Sequence, residues 1–235
     1  MKILCIIPAR SGSKSLPNKN IRYFNGKPML CWSIDQAKKC RFIHNMRIIV
    51  STDSEEYSKI AKEAGAEVPF LRPSEISEDL STDLECFQHA LKFLNETEKY
   101  IPEIVLHLRP TYPTRCVKDI DDCIEVFIKN IENGYTSLRT VVPIEKSPFK
   151  MYTISDSILK PLFTEDSGIL EPYNMPRQIL PQAFLHNGCI DIVLTKTVLE
   201  GSSVSGSKIY PYLMSESEVK DIDTEKDFKD ALEDK

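Results

Sequence analysis

The chain opens with an apolar run, Ile3 to Ile7, that passes directly into Pro8-Ala9-Arg10-Ser11-Gly12-Ser13-Lys14 and then into Pro17-Asn18-Lys19-Asn20. This junction constrains the fold more than any other stretch. The run has the length and composition of a buried strand. A buried strand that runs into a small basic loop is a design for holding phosphate. Gly12 and the serines, Ser13 among them, let backbone N–H groups approach an anion, and Arg10, Lys14 and Lys19 bring about three positive charges. Composition alone leaves the loop equally open as a solvated basic turn. It is neither a Walker A element nor a G-x-G-x-x-G fingerprint, because Gly12 lacks the required glycine partners.

The rest of the chain alternates. Helical patterns begin near Gly26–Leu30, run over Glu55–Ala64 with Gly65 as the stop, over Asp83–Leu94, and over Val117–Ile131. Strand patterns cover Arg47–Val50, Glu67–Leu71, Ile104–Leu108, Thr136–Val142, Cys189–Leu194 and Lys208–Leu213. Ser81 or Thr82 is placed to cap the third helix, and Thr224 to cap a charged terminal helix over Asp223–Leu232. The expected fold is α/β, a mostly parallel doubly wound sheet with helices on both faces. Ligands then collect outside the carboxyl ends of the strands, where Arg10, Asp53, Arg109 and the 79–83 segment fall. Between Pro143 and Leu185 the alternation stops and six prolines intervene. We read residues 1–142 and 186–235 as the core and 143–185 as an inserted arm or dimerisation subdomain.

The formal charge of −5 gives no footprint for nucleic acid. Seven cysteines without a C-x-x-C pair read as reduced thiols of a cytoplasmic protein. No run is long enough for a membrane helix, and the first apolar stretch is too short for a signal peptide. Asp221 and Asp223, two apart in Asp221-Ile222-Asp223-Thr224, would present both carboxylates on one face if extended and so meet one hard cation. Acidic residues follow them, so a solvated tail is the plainer reading of these residues taken alone.

Taken whole, PARSGSKSLPNKN resembles the signature loop of the acylneuraminate cytidylyltransferases, close to P-A-R-x-G-S-K-x-x-P-x-K-N. The resemblance extends to Asp227. It implies a nucleotide-diphospho-sugar-transferase type of core, with Ala9, Arg10, Gly12, Ser13, Lys14, Lys19 and Asn20 around a nucleotide triphosphate. It also places Arg72 and the Asp79–Asp83 segment, with Ser81 and Asp83, near base and ribose. DIDTEKD matches the family's D-I-D-T-x-x-D element, implying that Asp221 and Asp223 hold Mg²⁺. Pro176-Arg177-Gln178-Ile179-Leu180-Pro181 resembles P-R-Q-x-L-P, which casts Arg177 as a contact for the acceptor's carboxylate with Gln178 beside it. Lys150 and Asn187 match other sugar-side positions. In the family the arm crosses to a second subunit, so a homodimer is expected.

Two departures stand out. Where relatives that use sialic acid read L-Q-P-T-S-P-L-R, this chain has Leu108-Arg109-Pro110-Thr111-Tyr112-Pro113-Thr114-Arg115. Where they read N-G-x-I-Y, it has Asn187-Gly188-Cys189-Ile190-Asp191. Arg109 and Asp191 add charge where neutral groups are expected to face the sugar. They are placed to pair with each other or to meet a differently charged acceptor. The resemblance implies transfer of CMP from CTP to a small acidic sugar, a 3-deoxy-2-ulosonic acid, with release of pyrophosphate. Arg10, Lys14, Asp221 and Asp223 are the expected catalytic set. Another nucleotide, a sugar 1-phosphate acceptor, or a nucleotide-binding regulatory protein without turnover are the alternatives.

Overall fold

A computed structural model describes residues 1–163, 167–214 and 220–233. β1 (Ile3–Pro8) is central. It pairs in parallel with β4 (Met46–Ser51) on one side and β5 (Ile104–His107) on the other. Between β1 and β4 the chain makes a small hairpin, β2 (Tyr23–Phe24) and β3 (Lys27–Pro28), and then α1 (Met29–Lys38). α2 (Glu55–Glu63) and α3 (Asp83–Glu98) separate β4 from β5. α4 (Val117–Asn130) leads to β6 (Ser137–Pro143). The arm carries the hairpin β7 (Tyr152–Ser155) and β8 (Ile158–Pro161), and its residues 164–166 lie outside the described ones. β9 (Phe184–Leu194) returns antiparallel between β5 and β6. α5 (Thr195–Leu199), β10 (Ile209–Leu213) and α6 (Glu225–Glu233) complete the order. The six-stranded sheet runs β10-β6-β9-β5-β1-β4.

Alternation along β1 explains the two-sided core. Ile3, Cys5 and Ile7 join Leu30 and Ile34 of α1, Tyr57 of α2 and Ile124 and Phe127 of α4 on one face. Leu4 and Ile6 meet Phe87 and Leu91 of α3 and Val198 of α5 on the other. The mostly parallel, doubly covered sheet is therefore as expected, with β9 as the antiparallel member.

Three details differ from the sequence pattern. Glu67–Leu71 forms only a single parallel bridge, Ile49 to Glu67, because Pro69 and Pro73 bring no N–H to a ladder. β9 begins five residues earlier than Cys189. A bulge between Arg139 and Val141 absorbs the irregular Asn187-Gly188 step, which hides the strand's first half from period-2 reading. The short α5 was not expected. Thr82, not Ser81, is the cap of α3: its Oγ1 accepts from Glu85 N (3.3 Å), and Glu85 Oε2 accepts from Thr82 N (2.7 Å). Ser81 Oγ instead accepts from Glu78 N within the preceding turn (2.9 Å).

Candidate functional site

The loop after β1 is held by groups distant in sequence. Asp53, just beyond β4, accepts from Ser11 N and Ser11 Oγ, both at 2.8 Å. Buried Asn20 donates from Nδ2 to the carbonyl of Arg10 (3.0 Å). These contacts fix a rim at the carboxyl edge of the sheet, and below it opens a cleft of about 350 Å³. Arg10, Ser13, Lys19 and Asn20 line it from the loop, Arg72, Ser81 and Asp83 from the α3 side, and Arg109, Asp221 and Asp223 from the opposite wall.

The expected site residues divide around this cleft. Ala9 brings neither side chain nor N–H, because it is buried in the core and bonded to Ser51 O (2.9 Å). Gly12 and Lys14 lie on the loop outside the cleft wall. Gly12 has no positive φ, so its lack of a side chain is not required by the backbone. Asp79 caps the cationic loop: its carboxylate pairs with Arg10 Nη2 (2.9 Å) and with Lys14 Nζ. Hydrogen bonds from Lys14 and then Arg10 draw the Asp79 carboxyl below its ordinary range. Arg10 and Lys14 thus share one carboxylate across the mouth of the loop.

Arg72 is the most telling cation. It is buried, and its Nε and Nη2 have no hydrogen-bond partner among the described residues. A desolvated guanidinium with free donors is costly unless a ligand supplies oxygen or nitrogen acceptors.

The carboxylate pair arrives from the far end of the chain. Ile222, fully buried with Leu16, Phe24 and Phe228, faces the protein, so Asp221 and Asp223 on either side face away from it. Ile222 N donates to Thr111 O (2.9 Å), and Arg22 grips Glu225 through two bonds (2.5 and 2.9 Å), which docks α6 beside the loop. Asp223 pairs with Lys19 (2.5 Å). Burial, reinforced by Asp223, raises the Asp221 carboxyl above the ordinary value, against the opposing influence of Thr111, Tyr112 and Lys19. No group of three or more metal-type side chains occurs among the described residues. Two carboxylates beside cations in one cleft are nevertheless a donor set that fits a hard divalent cation such as Mg²⁺, which takes one or two protein carboxylates and completes its shell with other oxygens.

Arg109 and Asp191 do pair. Arg109 Nη1 donates to Asp191 Oδ2 (2.9 Å) and to Gly188 O (2.6 Å), and Nη2 donates to Asp83 Oδ2 (3.0 Å). Gly188 is required here: its φ is +73°, and a Cβ would lie 2.8 Å from Arg109 Nη1. Asp191 sits beneath the cleft wall, with His186 Nε2 on its other oxygen (2.7 Å). Burial works to raise the Asp191 carboxyl but is outweighed by the His186 hydrogen bond and the neighbouring Arg109, so it stays well below the ordinary range. Burial and the neighbouring Arg109 push His107 down to about 4, so it is neutral at pH 7. Asn187 is occupied structurally: its Oδ1 accepts from Thr140 Oγ1 (2.6 Å) and Cys189 N (3.1 Å).

Lys150, Arg177 and Gln178 are not in the cleft. Arg177 and Gln178 line a second hollow of about 330 Å³ within the arm, and Lys150 and Arg177 share an adjoining one. Sequence reading put Asp53 at the carboxyl edge without giving it a partner, and assigned no role to Arg115. Arg115 is buried and ties four oxygens together: Cys189 O (2.9 Å), Ser33 Oγ (3.3 Å), Gln36 Oε1 (2.8 Å) and Arg109 O (2.8 Å). The signal available was an arginine next to an apolar helix, which has no spacing rule attached to it.

Residues 4–162 match the family model described as Cytidylyltransferase. The chain is 34% identical over 228 residues to an N-acylneuraminate cytidylyltransferase of Streptococcus agalactiae, covering 97% of this chain but 52% of that relative, so it spans about half of that protein's length. It is 34% identical over 230 residues to the CMP-N,N'-diacetyllegionaminic acid synthase of Legionella pneumophila, covering 95% and 92% of the two chains. A solved structure of CMP:2-keto-3-deoxy-manno-octonic acid synthetase complexed with CTP shares the fold at a TM-score of 0.69, over 99% of this chain and 97% of the other, with 15% identity.

Proposed function

The chain belongs to the cytidylyltransferase family, of the acylneuraminate type, and from that premise we propose that it activates a 3-deoxy-2-ulosonic acid with CTP. The observation that carries this reading is the meeting, in one cleft, of an unpaired buried guanidinium, Arg72, with the Asp221–Asp223 pair and the cationic loop. The anomeric hydroxyl of the acid attacks the α-phosphorus in line. The new P–O bond forms as the bond to the β-phosphate oxygen breaks, the hydroxyl proton leaves to solvent or a site carboxylate, and pyrophosphate departs. Little covalent work falls to the protein in such a transfer, so positioning and charge neutralisation dominate. Arg10, Lys14 and Lys19 exchange their present carboxylate partners for the β- and γ-phosphates. Arg72, with Ser81 and Asp83 nearby, holds base and ribose. Asp221 and Asp223 would hold Mg²⁺, which when bound offsets phosphate charge.

We assign residues 143–185 to an arm that works across a homodimer. All of β7 and all but the last residue of β8 are solvent-exposed, and a lone two-stranded hairpin is marginal without a covering surface. Exposed Ile154, Ile158, Leu159, Leu162 and Leu170 supply the apolar area a second copy would cover. Arg177, Gln178 and Lys150, placed away from their own cleft, are then available to the partner's acceptor. No described helix is long and apolar enough to cross a membrane.

Melting curves with Mg²⁺ and each of CTP, UTP, GTP, ATP and dTTP test the nucleotide. CTP at about 100 times its Kd adds about 2.7 kcal/mol, or roughly 5–10 °C for a chain of this size. A shift with another nucleotide alone overturns the cytidylyl assignment. Lys14→Ala tests the loop. The Lys14 side chain is 82% exposed, so the fold is unaffected. Pyrophosphate release falls by about 10²-fold, because one phosphate cation is lost. Near-normal turnover would remove Lys14 from the site.

A further inference from the structure

The two positions where the sequence departs from its sialic-acid-using relatives are in contact, and the contact is built. Asp191 has both oxygens committed, one to Arg109 and one to His186. Arg109 has an acidic partner on each terminal nitrogen, Asp191 and Asp83, and the Gly188 carbonyl on Nη1 as well. Its side chain is 27% exposed, and it lines the cleft between the Arg72 side and Asp221. Three of its five N–H donors are used by these contacts, so the others remain for a ligand.

The charge around it is already matched. Asp83 and Asp191 lie within 3.0 Å of the guanidinium, and Arg139 approaches Asp191 at 4.0 Å. His107, 3.7 and 3.9 Å from Asp191 and Asp83, contributes no hydrogen bond at those distances. An anionic group brought to Arg109 would therefore stand beside two carboxylates. An uncharged oxygen would need only a donor.

Resting on the reading of the protein as a cytidylyltransferase of 3-deoxy-2-ulosonic acids, we propose that Arg109 and Asp191 form one specificity element. Asp191 is its positioning residue, holding Arg109 in the acceptor subsite as a hydrogen-bond donor with no charge to spare. The acceptor presents an uncharged oxygen there, an amide carbonyl or a hydroxyl, and an acceptor with a phosphate substituent is rejected. This turns the added charges at 109 and 191 away from a sugar-phosphate acceptor, because the arginine that would meet the phosphate is neutralised from within.

The test measures pyrophosphate release from CTP with three probes: N-acetylneuraminate, N,N'-diacetyllegionaminate and a phosphorylated 3-deoxy-2-ulosonate. Wild type turns over the non-phosphorylated acids at least ten-fold better, in kcat/KM, than the phosphorylated probe. Asp191→Asn keeps the volume and frees one charge on Arg109, so the phosphorylated probe gains about ten-fold relative to the others. The Arg109→Gln/Asp191→Tyr double variant restores the relatives' neutral pair and shifts the ratio of N-acetylneuraminate to N,N'-diacetyllegionaminate turnover by a similar factor. Ratios within two-fold of wild type in both variants, in proteins that still melt cooperatively, overturn the proposal. So does a wild type that prefers the phosphorylated probe. The CTP-induced melting shift of wild type is read alongside: its loss defeats the cytidylyltransferase reading itself, whereas its presence with unchanged acceptor ratios defeats only the specificity element.

Discussion

Asp223→Asn and Asp221→Asn each lower pyrophosphate release by about 10²–10³-fold while leaving the fold intact, because each would remove half of the proposed oxygen-ligand pair, for which no third side chain stands in among the described residues. The two variants differ in stability, and the difference has a definite sign. Asp223 pairs with Lys19, and its side chain is 57% exposed, so its loss is a small cost. Asp221 has its carboxyl raised, first by burial and further by Asp223. A carboxyl whose folded value lies above its unfolded one favours the fold below the unfolded value, about 3.9. That contribution is lost as pH rises through the folded value. At pH 7 the ionised Asp221 is therefore a cost in the metal-free protein, and Asp221→Asn melts at or above the wild-type temperature although it is nearly inactive. Melting curves at pH 7 in chelator and a pyrophosphate assay check both halves. A clearly lower melting temperature for Asp221→Asn, or undiminished turnover in either variant, contradicts this account of the pair.

Arg115→Ala produces the largest loss of stability expected of any single change near the site, about 4 kcal/mol, or roughly 8–16 °C in melting temperature. Arg115 is buried and its four partners are neutral oxygens from α1, β9 and the loop after β5. Truncation strands those acceptors away from water, along with Gln36, whose Nε2 is spent on the carbonyls of Pro113 and Arg115. Arg115→Lys restores less than half, since an ammonium lacks the planar fork that reaches Cys189 O and Arg109 O together. The loss also reaches the acceptor side, because Arg115 holds the Arg109 carbonyl. A melting temperature within 2 °C of wild type for Arg115→Ala would refute the clamp. That figure is small beside the roughly 8–16 °C expected.

Apolar runs alternating with helical patterns were enough to read a mostly parallel, doubly covered sheet, though not the lone bridge at Glu67 or the first half of β9, because burial on both faces makes a strand a short continuous apolar run and a covering helix a 3.6-period stripe. The basic loop after β1 was legible for the same local reason: strand, turn and cations are contiguous. The spacing of Asp221 and Asp223 was also on the page, with the buried Ile222 between them accounting for their common face.

Tertiary structure alone decided which of these groups meet. Asp221 and Asp223 reach the loop because Leu16, Phe24, Ile222 and Phe228 share a small apolar cluster some two hundred residues apart in sequence. Asp79, expected with its segment near base and ribose, and Asp53, a carboxylate with no motif of its own, became the partners of Arg10, Lys14 and Ser11 through loop positions set by β4 and α3. Arg109 and Asp191 were each visible as an added charge. That they neutralise one another follows from the antiparallel pairing of β5 with β9 and from a glycine at positive φ that admits the guanidinium. Sequence carries local periodicity and residue type. It does not carry the distance between two charges, and in a low-dielectric cleft that distance determines whether an arginine serves as a ligand for a phosphate or as a donor already balanced from within.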